Sequence, residues 1–239
     1  MTHPVVTTVS AMVFEGDIES AERALAVLAD QEGDRALAKV IDEMPPRDVV
    51  AILREHDSAK PSIVGELIAP ERFVEAAVLE RRYGEKGHDR LRGMVNAVVF
   101  ADESRSDEFV VALGASEDGL NVLCDYFEDR HEEVERFLLN GTFDEQEGEE
   151  IDGIPTSNAD LLDAELDEDT RRDVVALREV RDGDWRELAW RLRVEHYEIF
   201  RDMLEMLRAR HHRAAAAPPP PRPAAGAAGP ADDDEDDVL

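Results

Sequence analysis

The chain predicts an all-α fold: an array of short packed helices, helical-repeat-like, followed by a long C-terminal helix and a disordered tail. Three observations lead there. Leu, Val and Ala supply the bulk of the 43% apolar residues while aromatics make up only 5%, a balance that favours helix over strand. Apolar residues recur at spacings of three and four nearly everywhere in residues 1–140, the mark of one-sided helices. Gly33, Pro45-Pro46, Pro61, Pro70, Gly84 and Gly87 interrupt that pattern, so the pieces are short, roughly ten to fifteen residues each.

In chain order, Ile18, Ala21, Leu25 and Leu28 form one stripe, Leu37, Val40, Ile41 and Met44 a second, and Leu91, Met94, Val95 and Val98 a third. A longer helix is expected from Ser116, whose hydroxyl can cap free first-turn amides, through Leu120, Leu123, Phe127, Val134 and Leu138. Asn140-Gly141 ends it, because the left-handed residue after a helix favours these two side chains. That closes a first domain, residues 1–141. Residues 142–157, with Asp144, Glu145, Glu147, Glu149, Glu150 and Asp152, read as an acidic linker.

A C-terminal helical segment, residues 158–213, begins with helices around 159–166 and 168–180. Asp184 and Glu187 then stand in capping-box relation at the head of a helix expected over 184–212, about 43 Å long at 1.5 Å per residue. Its seam, Trp185, Leu188, Leu192, His196, Ile199, Met203 and Met206, alternates steps of three and four like a coiled-coil face. That face needs a cover, from this chain or from a second copy of it. Residues 214–239 are an Ala/Pro/Gly spacer that cannot bury apolar area and is expected to be disordered. They end in the acidic tip Asp232-Asp233-Asp234-Glu235-Asp236-Asp237-Val238-Leu239.

Charge excludes one class of partner. The net charge is −30, and a sequence-independent grip on nucleic-acid phosphates needs clustered Lys and Arg. Lys39, Lys60 and Lys86 are the only lysines, so the remaining cations are arginines, whose planar forks pair well with neighbouring carboxylates. Apolar runs such as 98–101 are far too short to span a bilayer, and no basic residues precede the apolar stretch 5–14 as a secretory signal would require. Cys124 stands alone, which excludes an internal disulfide framework and suits a reducing, cytoplasmic setting.

An internal repeat adds to the architecture. Pro46-Arg47-Asp48-Val49-Val50-Ala51-Ile52 aligns with Pro70-Glu71-Arg72-Phe73-Val74-Glu75-Ala76, and a fainter third copy starts at Ala21. In each, a small residue or proline opens a helix, charges fill the first turn and an apolar pair follows. With its Met44-Pro45-Pro46 step and the following Asp48-Val49-Val50-Ala51-Ile52-Leu53, this region resembles the helical repeats in the cytoplasmic amino-terminal domain of MgtE-type magnesium transporters. Similar short-helix repeats occur in flagellar motor switch proteins. The resemblance covers residues 18–82 and implies an acidic, magnesium-responsive helical superhelix. The chain departs from the family in lacking membrane spans and a nucleotide-binding-like pair of domains, so transport is not carried over.

No spacing commits the chain to catalysis, and no cofactor is expected. Two Glu-x-x-His pairs, Glu85/His88 and Glu128/His131, would each share a helix face as in di-iron bundles, but glycines flank the first and the second falls in an exposed charged stretch. His196, on the seam, reads either as a satisfied core histidine or as a pH-sensitive contact. The acidic run 144–152 lacks the Asp-x-Asp-x-Asp-Gly order of a calcium loop. The reading is a non-enzymatic helical scaffold or adaptor that binds protein partners. Its candidate contacts are Trp185 and His196 on the long helix and Asp236, Asp237, Val238 and Leu239 at the tip, where a basic rim and an apolar pocket could capture the terminus. A divalent-cation sensor, and behind it a carboxylate-bridged metal enzyme, are the alternatives.

Overall fold

Prolines and short polar caps set the helix starts. In the computed structural model, which describes residues 2–56, 62–85, 87–143 and 174–216, α1 (Pro4–Phe14) opens on a proline, with His3 Nδ1 accepting from the Val5 amide. The Asp17 carboxylate accepts from the Ser20 amide at the head of α2 (Ile18–Glu32), and Gly33, at φ +87°, ends it where a side chain would be strained. Then come α3 (Asp34–Glu43), α4 (Pro46–Leu53), α5 (Ile63–Leu67) and α6 (Pro70–Tyr83).

The alignment of Pro46 with Pro70 is a structural equivalence. Each is the first residue of its helix, each follows an extended residue, and the matched pairs Val49/Phe73, Ile52/Ala76 and Leu53/Ala77 are all buried where α4 packs on α6. The third copy does not hold. Ala21 lies a turn inside α2, which starts at Ile18.

Next are α7 (Asp89–Val99), α8 (Ser106–Gly114), α9 (Glu117–Phe127) and α10 (His131–Asn140). Ser116 caps α9 by accepting from the Gly119 amide at 3.1 Å, and Gly141, at φ +73°, closes α10 with its amide on the Phe137 carbonyl. The single helix expected between these signals is two. A 3-10 turn, Glu128–Arg130, separates them, because three successive charged residues bury nothing that would hold the α-helical pitch. The tightened turn re-aims the chain so that Phe127 and Phe137 both reach the core.

The C-terminal part comprises α11 (Leu177–Val180), α12 (Trp185–Glu195) and α13 (Tyr197–Ala216). The expected continuous helix 184–212 is therefore corrected to two helices, broken at His196 (φ −132°, ψ 52°). One straight rod cannot serve both of its contact surfaces. Upstream of the break, Arg193 reaches the Phe137 carbonyl and Trp185 packs edge-on against Phe143; downstream, α13 lies along α9, with the Cys124 thiol donating to the Met203 carbonyl. The capping box does not form: Asp184 makes no side-chain cap, and its amide donates to Asp182. Glu187 accepts from the Gly183 amide at 3.0 Å, while the Asp184 carboxylate accepts instead from the Asn96 amide group at 2.8 Å.

Of the expected seam, Leu188, Leu192 and Met203 are buried, while Trp185, His196, Ile199 and Met206 keep part of their surface exposed. Past the break the buried face shifts to Phe200, Met203, Leu204 and Leu207, which join Leu188 and Leu192 in one hydrophobic core that begins at Val6. Phe143 belongs to it as well, stacked on Phe137 at 4.1 Å between centroids, so the packed body extends past the boundary expected at residue 141. The remainder of the acidic linker, the helix expected at 159–166 and residues 217–239 lie outside the described residues. α13 runs to Ala216, past the boundary expected at 214. Among the described residues there is no strand, and no helix is long and apolar enough to cross a membrane.

Candidate functional site

A cleft of about 760 Å³ opens where the head of α7, the 3-10 turn, the start of α10 and the end of α13 meet. Its walls carry three of the seven histidines, His88, His131 and His211, together with Glu128, Asp129, Glu132 and Glu133. His88 precedes α7 in the left-handed conformation (φ +56°), the one such non-glycine residue among those described. Its amide donates to the Glu85 carbonyl and its carbonyl accepts from the Arg92 amide, which fixes the ring's origin. Arg92 also donates to Asp129 at 2.7 Å, and this bond holds the Asp129 carboxyl below the usual range.

His88, Asp125 and Glu128 come together beside this cleft, one donor atom of each lying within 4.8 Å of the others. His88 Nε2 lies 3.6 Å from Glu128 Oε2, and its Nδ1 lies 4.0 Å from Asp125 Oδ2. Asp125 and Glu128 stand three apart at the end of α9 and so share a face. Asp125 is only 5% exposed. Arg210 of α13 donates to its Oδ1; Arg81 Nε sits 2.7 Å from Oδ2, but its N–H finds no aligned acceptor. At the rim the His131 and His211 rings stack at 3.8 Å, and His131 Nδ1 donates to the Glu128 carbonyl at 3.2 Å.

The two Glu-x-x-His pairs seen in the sequence are therefore recombined. Glu85 turns away to Arg90 at 3.3 Å, and His131 faces His211. His88 of the first pair meets Glu128 of the second. Asp125 was not singled out by sequence reasoning, although a carboxylate inside the apolar run Leu123-Cys124-Asp125-Tyr126-Phe127 is the mark of a buried ion pair. Beside it, Cys124 is buried, and burial pushes its thiol up to about 11, which keeps it protonated and unreactive at neutral pH.

A second cluster surrounds the break between α12 and α13. His196 Nε2 lies 3.2 Å from Asp107 Oδ1 across the junction with α8. Here the centre is already filled by a cation. The buried Arg191 guanidinium lies 3.0 Å from Glu187, 3.6 Å from Glu195, 3.9 Å from Glu103 and 4.0 Å from Asp107. Burial first, and Asp107 and Glu187 after it, push the Glu195 carboxyl up against the lowering effect of Arg191. Trp185, the other seam residue proposed as a contact, packs on Phe143 with the Arg130 and Arg186 guanidiniums 5.5 Å from its ring. Asp236, Asp237, Val238 and Leu239 lie outside the described residues.

An apolar groove of about 570 Å³ lies on another face, between the start of α6 and the end of α8. Pro70, Val74, Val111, Ala112 and Ala115 line it, with Glu71 and Glu108 at its edges. Val111 is 50% exposed and stands beside the other apolar side chains of the groove. Arg105, 3.6 Å from Glu108, is also committed to the Glu66 and Ile68 carbonyls. No known protein family, curated protein or solved structure matches this chain.

Proposed function

We propose that the chain is a non-enzymatic helical adaptor that holds a basic amphipathic helix of a partner protein in the groove between α6 and α8. The observation that carries this reading is the exposed Val111, facing a trough of small apolar side chains between two glutamates. An amphipathic helix laid in such a groove buries its apolar side chains in the trough. Lys or Arg on its flanks would meet Glu71 and Glu108 and the field of a chain carrying a net charge of −30, which steers cationic partners and repels acidic ones. A cytoplasmic setting accompanies this reading, since the lone cysteine needs no oxidising compartment.

The test uses a synthetic Leu/Lys amphipathic helix labelled for fluorescence anisotropy. Binding should weaken at least tenfold with Val111→Asp and remain within twofold with Val194→Asp, which adds the same charge at a site equally exposed (47%) but away from the groove. Binding unchanged or strengthened to the same extent in the two variants would mean that the peptide reads bulk charge alone, and the groove reading would be abandoned.

A further inference from the structure

The geometry points to a binding site for a first-row transition-metal ion such as Zn²⁺ at His88, Asp125 and Glu128, a function separate from the α6/α8 groove. One donor atom from each of the three lies within 4.8 Å of the other two. Zinc bonds of about 2.0–2.2 Å to imidazole nitrogen and carboxylate oxygen put tetrahedral donors roughly 3.3–3.5 Å apart. The 3.6 Å to Glu128 runs from Nε2 and the 4.0 Å to Asp125 from Nδ1, so the His88 ring must turn to bring one nitrogen towards both carboxylates, from a starting spread of at most 4.8 Å between single donors.

Each donor is held in the way a metal ligand needs. His88 is fixed by backbone bonds on both sides of its left-handed residue. The buried Asp125 is oriented through Oδ1 by Arg210, the kind of outer contact that fixes a ligating carboxylate. Its other oxygen, Oδ2, faces His88 and is paired with Arg81 at 2.7 Å without an aligned hydrogen bond, so an ion bound there would take the place of that ion pair. Glu128 is half-exposed on the cleft side, which supplies an entry path and leaves positions for water.

The donor set selects the class of ion. An imidazole with two carboxylates suits Zn²⁺ and its neighbours in the first row, whereas calcium takes six to eight oxygens and magnesium keeps most of its waters. The Asp107, Glu195 and His196 cluster has the same composition, but there Arg191 stands against both carboxylates, whereas Arg81 and Arg210 pair with Asp125 and Glu128 faces His88.

Isothermal titration of ZnCl₂ into the full chain, after EDTA treatment and exchange into metal-free buffer, tests the site. One equivalent should bind. Glu128→Gln and His88→Asn should each weaken binding at least about tenfold, asparagine being a side chain that tolerates the left-handed backbone, while His196→Gln leaves it unchanged. Co²⁺ in place of Zn²⁺ should give visible absorption bands that vanish in Glu128→Gln, and hundredfold excess MgCl₂ should not displace either ion. Should His88→Asn fail to fold by circular dichroism, the Glu128 variant, altered only at a half-exposed side chain, decides alone. Wild-type affinity in Glu128→Gln, loss of binding in His196→Gln, or displacement by magnesium would each overturn the assignment.

Discussion

Arg193 offers an uncommon opportunity: a charge whose removal should make the protein more stable. The residue is 4% exposed. Its guanidinium donates to the Phe137 carbonyl and lies 4.7 Å from the Phe137 ring centroid, yet Nη2 is buried with no partner. Burial pushes the group down to about 10, and no ion pair offsets this among the described residues. That drop, at 1.36 kcal/mol for each pH unit, caps the penalty of keeping it charged at about 3 kcal/mol. The carbonyl bond and ring contact return about 2 kcal/mol together. Arg193→Met fills a similar volume and leaves the Phe137 carbonyl its bond from the Gly141 amide, so it should gain about 1 kcal/mol, or roughly 2–4 °C in Tm for a chain of this size. Arg193→Ala leaves a void and should fall below the wild type. Because the group's proton is bound more tightly in the unfolded chain, the wild type recovers stability as pH rises through about 10, and its gap to the Met variant should narrow there. Thermal melts followed by circular dichroism at neutral pH, and urea titrations up to about pH 10.5, measure both effects. A Met variant that melts lower than the wild type, with unchanged cooperativity, refutes the reasoning.

Two glycines in the helix array should respond in opposite directions. A Cβ on Gly119 would lie 2.1 Å from the Leu113 carbonyl oxygen, so Gly119→Ala must move backbone and should cost about 1–3 kcal/mol; Gly93, inside α7 with open space around it, should gain about 0.5–1 kcal/mol as alanine, and differential scanning calorimetry on the pair checks both signs. The Cys124 thiol should stay unmodified by a thiol reagent at neutral pH in the native protein and react at once in denaturant, whereas rapid native labelling would mean that α13 detaches from α9. Ser116→Ala removes the bond to the Gly119 amide and should lower stability by about 1 kcal/mol in a urea titration.

Local signals were legible in the sequence wherever a bond closes within a few residues. Ser116 caps α9, Gly141 closes α10, and Pro46 and Pro70 open equivalent helices, each through contacts inside its own turn. The breaks at Glu128–Arg130 and at His196 carry no comparable mark, because tertiary packing decides them: α12 and α13 must reach different surfaces, and periodicity read along one seam cannot report that. The cleft follows the same division. Each Glu-x-x-His spacing was visible, but the meeting of His88 with Glu128 depends on how α6, α7 and α9 stack, and Asp125 became a candidate only once Arg81 and Arg210 were seen to converge on it.

The place of α13 also governs the order in which the molecule can be completed during synthesis. The Cys124 face of α9 is sealed by the segment around Met203, 79 residues later. At roughly 5–20 residues per second the nascent chain carries that face uncovered for about 4–16 s. During that interval Leu123, Phe127 and their neighbours form an adhesive surface next to an acidic, self-repelling body, so mutual repulsion between nascent chains is the protection available before α13 arrives.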